Sequence, residues 1–174
     1  MRTAAPSSST PSSSAQTSWR LTELGFSPSY FTVHVFYWGE EHVANTGIER
    51  ASFISPMKSA AAKGLVCSNH SDFSVTPMDP MRMMWSAVVR TTRTGRVLGP
   101  DERIDRWESL KALTTNAAWQ IREEDRKGKI APGMLADLVI LDANPLTVET
   151  DRILGIKAVE TFKEGKSVYK RQPA

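Results

Sequence analysis

The sequence predicts an α/β fold on three observations. Two apolar runs rich in β-branched and aromatic residues read as buried strands, and helical patterns lie between and after them. Beyond a Pro-Gly turn the pattern changes to short antiparallel strands. The chain has 174 residues with 40% hydrophobic content, which is room and material for one packed domain or a piece of a larger one.

Taken in order, residues 1–18, "MRTAAPSSSTPSSSAQTS", are low in complexity and cannot bury enough apolar surface to offset their ordering entropy. They read as a disordered tail. The same acid-free, Ser-rich stretch has the look of an organelle transit peptide, although its single arginine weakens that reading. "WRLTELG" follows as the last turns of a helix closed by Gly25. "SYFTVHVFYWG" is broken by one polar group, His34, and predicts a strand buried on both faces. "GIERASFISPMKSAAAKG" is helical in composition despite Pro56, and "LVCSN" is a second short strand.

Asp79 is a candidate N-cap with Pro80 at the first helical position, and Met81, Met84, Trp85 and Val88 recur on one apolar face. Asp105 and Glu108 form a capping-box pattern ahead of Trp107, Leu110 and Leu113, and Thr115 is a candidate cap for "NAAWQI". "LADLVILD" reads as a strand, and "AVETFKEGKSVYK" as a hairpin turning at Glu164-Gly165.

Charge and cysteine usage narrow the function. A net charge of +3 spread among acids argues against nucleic acid, and no apolar run is long enough to span a bilayer. Cys67 is the only cysteine, so an internal disulfide and a cysteine-based zinc cluster are both excluded. A reducing, cytoplasmic setting fits.

The residues with chemical potential cluster in "CSNHSDFSVTPMDP". His70 and Asp72 are two apart, hence on one side of an extended strand end, and strand carboxyl ends are where (β/α) barrels present active sites. A carboxylate there suits a divalent metal or the proton of a metal-bound water. The bland alternative is an ordinary polar strand end. His34, with Tyr37 and Trp38 nearby, is either pocket lining or barrel filling. His42 reads as a solvent-exposed loop residue rather than a ligand.

"SNHSDFSVTPMDP", "TTNAAWQ", "EEDRKGKIAPGMLADLVILDANPL" and "TFKEGKSVY" together resemble the C-terminal part of the amidohydrolase superfamily, in the family 3 branch that includes N-substituted formamide deformylases. The stretch "KGKIAPGMLADLVILD" is the most specific piece. The resemblance implies a C-terminal portion, about the last two strands and helices, of a (β/α)8 metal-dependent hydrolase barrel over residues 19–125. It implies β-sandwich strands over 126–170 and a short tail over 171–174.

It also implies hydrolysis of carbon–nitrogen bonds other than peptide bonds, with Asp72 as metal ligand and catalytic proton shuttle. Substrate contacts would come from His70, His34, Tyr37 and Trp38, while Asp137 is structural. The cofactor so implied is a divalent metal, zinc, in the complete enzyme, with none bound by this chain alone. The substrate would be a small amide or formamide. Because the family's His-x-His pair is absent from the sequence, a second expectation stands beside the enzyme. It is a non-catalytic piece, or an interaction module joined to a chain that supplies the missing barrel strands or to a second copy.

Overall fold

The computed structural model describes residues 26–172, so the tail over 1–18 and the helix expected at "WRLTELG" lie outside the described residues. Two short strands, β1 (Ser29–Tyr30) and β2 (Ser68–Asn69), pair in parallel, with Ser29 opposite Ser68 and Tyr30 opposite Asn69. Between them run α1 (Val33–Thr46), α2 (Ile48–Ser52) and α3 (Met57–Ala62). After β2 come α4 (Pro80–Val89), α5 (Arg106–Leu113) and α6 (Thr115–Gln120). The chain closes in an antiparallel sheet of order β3-β4-β5, formed by Leu138–Leu141, Ala158–Lys163 and Lys166–Lys170.

The largest correction concerns "SYFTVHVFYWG". Only Ser29 and Tyr30 are extended, and the β-branched run from Val33 is the first part of a 14-residue helix. Helix propensities differ by tenths of a kcal/mol per residue, so a well-packed face can override them. That face exists. Val35, Gly39 and Val43 recur at a spacing of four, and Val35 packs with Ala51 and Leu98 while Val43 lies against them. Gly39 permits the close approach, because a Cβ there would sit 2.5 Å from Thr92 Cγ2. The helix stops at Gly47, φ 79°, whose N–H donates to the Val43 carbonyl.

A buried polar knot joins β1, β2 and α4. The Thr32 hydroxyl and N–H meet the Asn69 side-chain oxygen at 3.1 and 3.3 Å, and Asn69 Nδ2 donates to the Met83 carbonyl at 3.2 Å. Ser86 Oγ donates to the Thr32 carbonyl at 2.7 Å. Because every one of these groups is buried and paired, the chain direction at both strand ends is closely specified.

Helix α4 starts as the sequence indicates, with Asp79 accepting from the Arg82 N–H and Pro80 at the first turn. Its buried face is shifted from the expected one. Met83, Met84, Trp85, Ser86 and Ala87 are buried, whereas Met81 and Val88 are only half-buried. Asp105 caps α5 through the Glu108 N–H at 2.8 Å, but Trp107 is 57% exposed, and Ser109 and Ala112 are the residues facing inward. Thr115 is not a cap. It is the first residue of α6, and Thr114 precedes it without a capping side-chain bond.

Arg90 ends α4 in the left-handed conformation and is 1% exposed. Its guanidinium donates to the carbonyls of Leu98, Ser55, Ser52 and Ile54 at 2.9, 3.1, 3.2 and 2.7 Å. Beside it Gly99, φ +62°, leaves no room for a side chain, since a Cβ would lie 1.9 Å from the Ser52 oxygen. Gly99→Ala is therefore expected to destabilise the fold by about 2–3 kcal/mol, a fall of roughly 5–10 °C in Tm. Thermal unfolding followed by circular dichroism checks this, and an unchanged midpoint would mean the Ser52 turn is free to move.

In the C-terminal sheet Glu164 and Gly165, φ 50° and 77°, make the predicted two-residue turn, with Lys163 opposite Lys166. Asp137 fastens that turn by accepting from the Glu164 N–H at 2.9 Å and Lys163 Nζ at 2.8 Å. Asp142 accepts from the Lys157 N–H and from Arg171 at 2.9 and 2.8 Å. Arg171, assigned to the tail by sequence, is thus tied to the sheet, and its N–H also donates to the Val159 carbonyl.

The hydrogen bond from Lys163 to Asp137, and that from the Lys157 N–H to Asp142, hold both carboxyls below the usual aspartate range. A depressed folded-state pKa stabilises above the unfolded value and is lost as pH falls through the folded one. Protection of the amides across residues 158–171, taken relative to the intrinsic exchange rate at each pH, is accordingly expected to fall below about pH 4, the ordinary aspartate value. Asp137→Asn should blunt the response, and protection that stays constant down to about pH 2 would refute the assignment.

Candidate active site

The chain leaves β2 directly into the motif picked out by sequence. The His70 N–H donates to the Tyr30 carbonyl at 2.9 Å, which continues the parallel pairing by one residue. The next turn is closed by the buried Thr76 hydroxyl donating to the Ser71 carbonyl and by the Val75 N–H donating to the Asp72 carbonyl at 2.7 Å. Asp72 sits in this closed turn with φ 51°, a conformation that Asp and Asn tolerate better than most residues. Its side chain is exposed, and among the described residues no side chain hydrogen-bonds to its carboxylate.

His70 and His34 converge on one aromatic ring. Phe31 stacks on His34 at 4.9 Å and on His70 at 5.4 Å, with interplanar angles of 21° and 15°. His70 Nδ1 lies 2.9 Å from Ser29 Oγ, which holds the imidazole against β1. Trp38 approaches His34 edge-on at 5.1 Å and Phe31 at 6.1 Å. Tyr37 reaches this group only through Trp38, with ring centroids 5.5 Å apart. It faces Phe36, and the Arg93 guanidinium lies 4.6 Å over its ring.

His42 requires a correction. It lies in the third turn of α1, not in a loop, and is half-buried with Nε2 3.5 Å from His34 Nε2. Its i+8 relation to His34, with Trp38 at i+4, is a helical stripe visible in the sequence but hidden by the strand-like composition around it. Burial, and after it the neighbouring His42, push the His34 pKa below the ordinary histidine value, and the negative charge of Asp72 opposes them. Phe31 and the Thr32–Asn69 knot, which set the rings and strand ends, carry no motif that sequence reading could isolate.

Nearby groups are structural. Burial pushes the Cys67 thiol up to about 11, so it is not a thiolate nucleophile at neutral pH. Asn116 donates to the Cys67 carbonyl at 3.0 Å, and Gln120 donates to the Ser27 carbonyl at 3.0 Å while accepting from Ser68, which pins α6 to the two strands. A cavity of about 380 Å³ lined by Phe26, Ser27, Trp119, Gln120, Arg122 and Glu124 includes none of the predicted site residues. Among the described residues no group of three or more His, Cys, Asp or Glu could hold a metal ion.

Comparisons with known proteins agree with the local pattern. The profile of the amidohydrolase family matches residues 4–169. An N-substituted formamide deformylase from Arthrobacter pascens is 29% identical over 153 residues, covering 87% of this chain and 28% of the relative. The putative amidohydrolase YtcJ of Bacillus subtilis is 27% identical, covering 82% of this chain and 27% of the relative. A crystal structure of a metal-dependent hydrolase from Pyrococcus horikoshii superposes with a TM-score of 0.65 at 26% identity, covering 78% of this chain and 28% of that one.

The chain thus spans little more than a quarter of the length of the relatives it matches. With a family match over nearly its whole length and α/β folding like that of a metal-dependent hydrolase, the chain belongs to amidohydrolase family 3.

Proposed function

We propose that these residues carry the catalytic-carboxylate end of a metal-dependent hydrolase that cleaves carbon–nitrogen bonds other than peptide bonds. In this reading residues 19–125 are the last part of a (β/α)8 barrel, and 126–170 contribute strands to a β-sandwich. One observation carries it. In a chain of this family, Asp72 stands just past the carboxyl end of one of two parallel strands, in a closed turn, with an exposed carboxylate close enough to His34 to act on its charge.

A hydrolytic metal centre needs at least three protein ligands besides its water. The described residues do not meet that requirement, so no metal-dependent step is assigned to this chain alone. The remaining ligands belong to other polypeptide, either elsewhere in the same protein or in a partner. Asp72 contributes proton transfer. As a carboxylate it takes a proton from the attacking water and returns it to the departing amine, which leaves poorly unless protonated. His70 and His34, stacked on Phe31, with Trp38 edge-on to His34, form an aromatic wall for the substituent on nitrogen, and Tyr37 lies beyond Trp38.

The substrate class is a small amide, with N-substituted formamides first among candidates because a relative at 29% identity is named for them. Strand edges support association with further polypeptide. Among the described residues β1 and β2 pair only with each other, and Phe73, Val75 and Met78 beyond Asp72 are 59–68% exposed.

The test is amine release from N-substituted formamides, simple amides and cyclic ureas. It compares the 174-residue chain alone with the chain co-expressed with a family polypeptide that supplies the earlier barrel strands. Activity is expected only in the second case. Turnover by the chain alone would contradict the incomplete-site reading, and silence of a folded complex towards all three substrate classes would contradict the hydrolase.

A further inference from the structure

We propose that Gln120, acting through Ser68 and Ser29, keeps the proton of the neutral His70 ring on Nδ1, so that Nε2 accepts a hydrogen bond from the N–H of an N-monosubstituted amide. The relay concerns this chain alone, whereas the recognition of substrate N–H rests on the hydrolase reading.

Counting protons gives the direction of each bond. Gln120 Nε2 faces the Ser27 carbonyl at 3.0 Å, and a carbonyl only accepts, so the amide is oriented with Oε1 towards Ser68. That oxygen carries no proton, and the contact therefore takes the single hydroxyl proton of Ser68. Ser68 Oγ also lies 2.8 Å from the hydroxyl of Ser29, its partner across the β1–β2 pair. With the Ser68 proton committed to Gln120, the proton of this second contact comes from Ser29. Ser29 Oγ is then left to accept from His70 Nδ1, 2.9 Å away. For a neutral imidazole this is the assignment that gives each contact its own proton.

The surroundings suit such a relay. Ser68 is 4% exposed, so water does not compete for its proton, and Ser29 is the exposed link to the ring. Phe31 fixes the plane of the imidazole by stacking at 5.4 Å and 15°. His70 is half-buried, and among the described residues Nε2 has no hydrogen-bond partner and is not sealed from solvent. His70 stands two residues before Asp72, at the strand end where the proposed reaction breaks its bond to nitrogen. An N–H there meets a lone pair, while the opposite tautomer would set donor against donor.

Long-range proton–nitrogen-15 spectra of the full 174-residue chain, in alkaline buffer where imidazoles are neutral, read the tautomer. His70 is expected as one form, protonated on Nδ1. Ser29→Ala should shift it towards the Nε2–H form that free imidazole side chains prefer, and Ser29→Thr should restore it. Gln120→Met, which frees the Ser68 proton for Ser29, should act like Ser29→Ala. An Nε2-protonated His70 in the unsubstituted chain, or an unchanged tautomer in both Ser29→Ala and Gln120→Met, would overturn the relay whatever the chain hydrolyses.

In the complete hydrolase, Ser29→Ala is expected to lower the ratio of kcat/KM for N-monosubstituted over N,N-disubstituted formamides by about threefold to tenfold, mainly through KM. An unchanged ratio would overturn the role in recognising N–H. A complex inert towards both substrates would overturn the hydrolase reading and that role with it, and the spectra would then decide the relay by themselves.

Discussion

Asp72→Asn is expected to lower carbon–nitrogen hydrolysis by the complete hydrolase by roughly 10²–10⁴-fold, the range for loss of a positioned general acid–base group. Fold and substrate binding should barely change. The side chain is exposed, and the turn that carries it is closed by main-chain and Thr76 contacts that an amide does not disturb. Asparagine also accepts the left-handed backbone, φ 51°, that position 72 requires. On the proposed reading the substitution therefore removes the proton acceptor and weakens one metal ligand while leaving the fold in place. The informative readings are kcat, KM and Tm together. A fall in kcat with steady KM and Tm assigns proton transfer to Asp72, whereas wild-type turnover would move the catalytic carboxylate elsewhere.

Arg90→Met is expected to be the most damaging single change for stability, by about 3–5 kcal/mol, equivalent to roughly 6–15 °C in Tm. Four carbonyls now paired with one guanidinium would be left without it, around a side chain that is 1% exposed. Burial lowers the Arg90 pKa to about 10, so the group is still charged at neutral pH and its hydrogen bonds are charge-assisted. Arg90→Lys should recover only a small part of the loss, because an ammonium cannot span carbonyls that a planar fork reaches from several sides. Arg93→Met is the control, as its guanidinium is exposed and rests on the Tyr37 ring. Equal midpoints for the Arg90 and Arg93 variants would show that the Ser52–Ser55 turn finds other donors.

Several features were legible in the residues because their causes are local. Asp79-Pro80 and Asp105 with Glu108 start their helices as expected, since an N-cap needs only a side chain three residues from an unpaired N–H. Glu164-Gly165 turns the hairpin because both positions must adopt positive φ. Trp107 is the counterexample. Its spacing fits an apolar face, yet α5 turns Ser109 and Ala112 inward, where small side chains allow close contact with α4, and Ser109 Oγ lies 3.4 Å from the Met84 carbonyl.

The sequence by itself determined the family, the position of Asp72 just past a strand, the Asp79 and Asp105 helix caps and the final hairpin, all of which rest on residues close together in the chain. Only the tertiary structure decided that "VHVFYWGEEHVANT" is a helix, that His42 meets His34, and that Tyr37 turns towards Arg93. The physical reason is that composition in that stretch favours a strand by a small margin per residue. Burial of Val35 and the Gly39–Thr92 contact are long-range terms that exceed it and become available only once residues 90–98 have folded against α1.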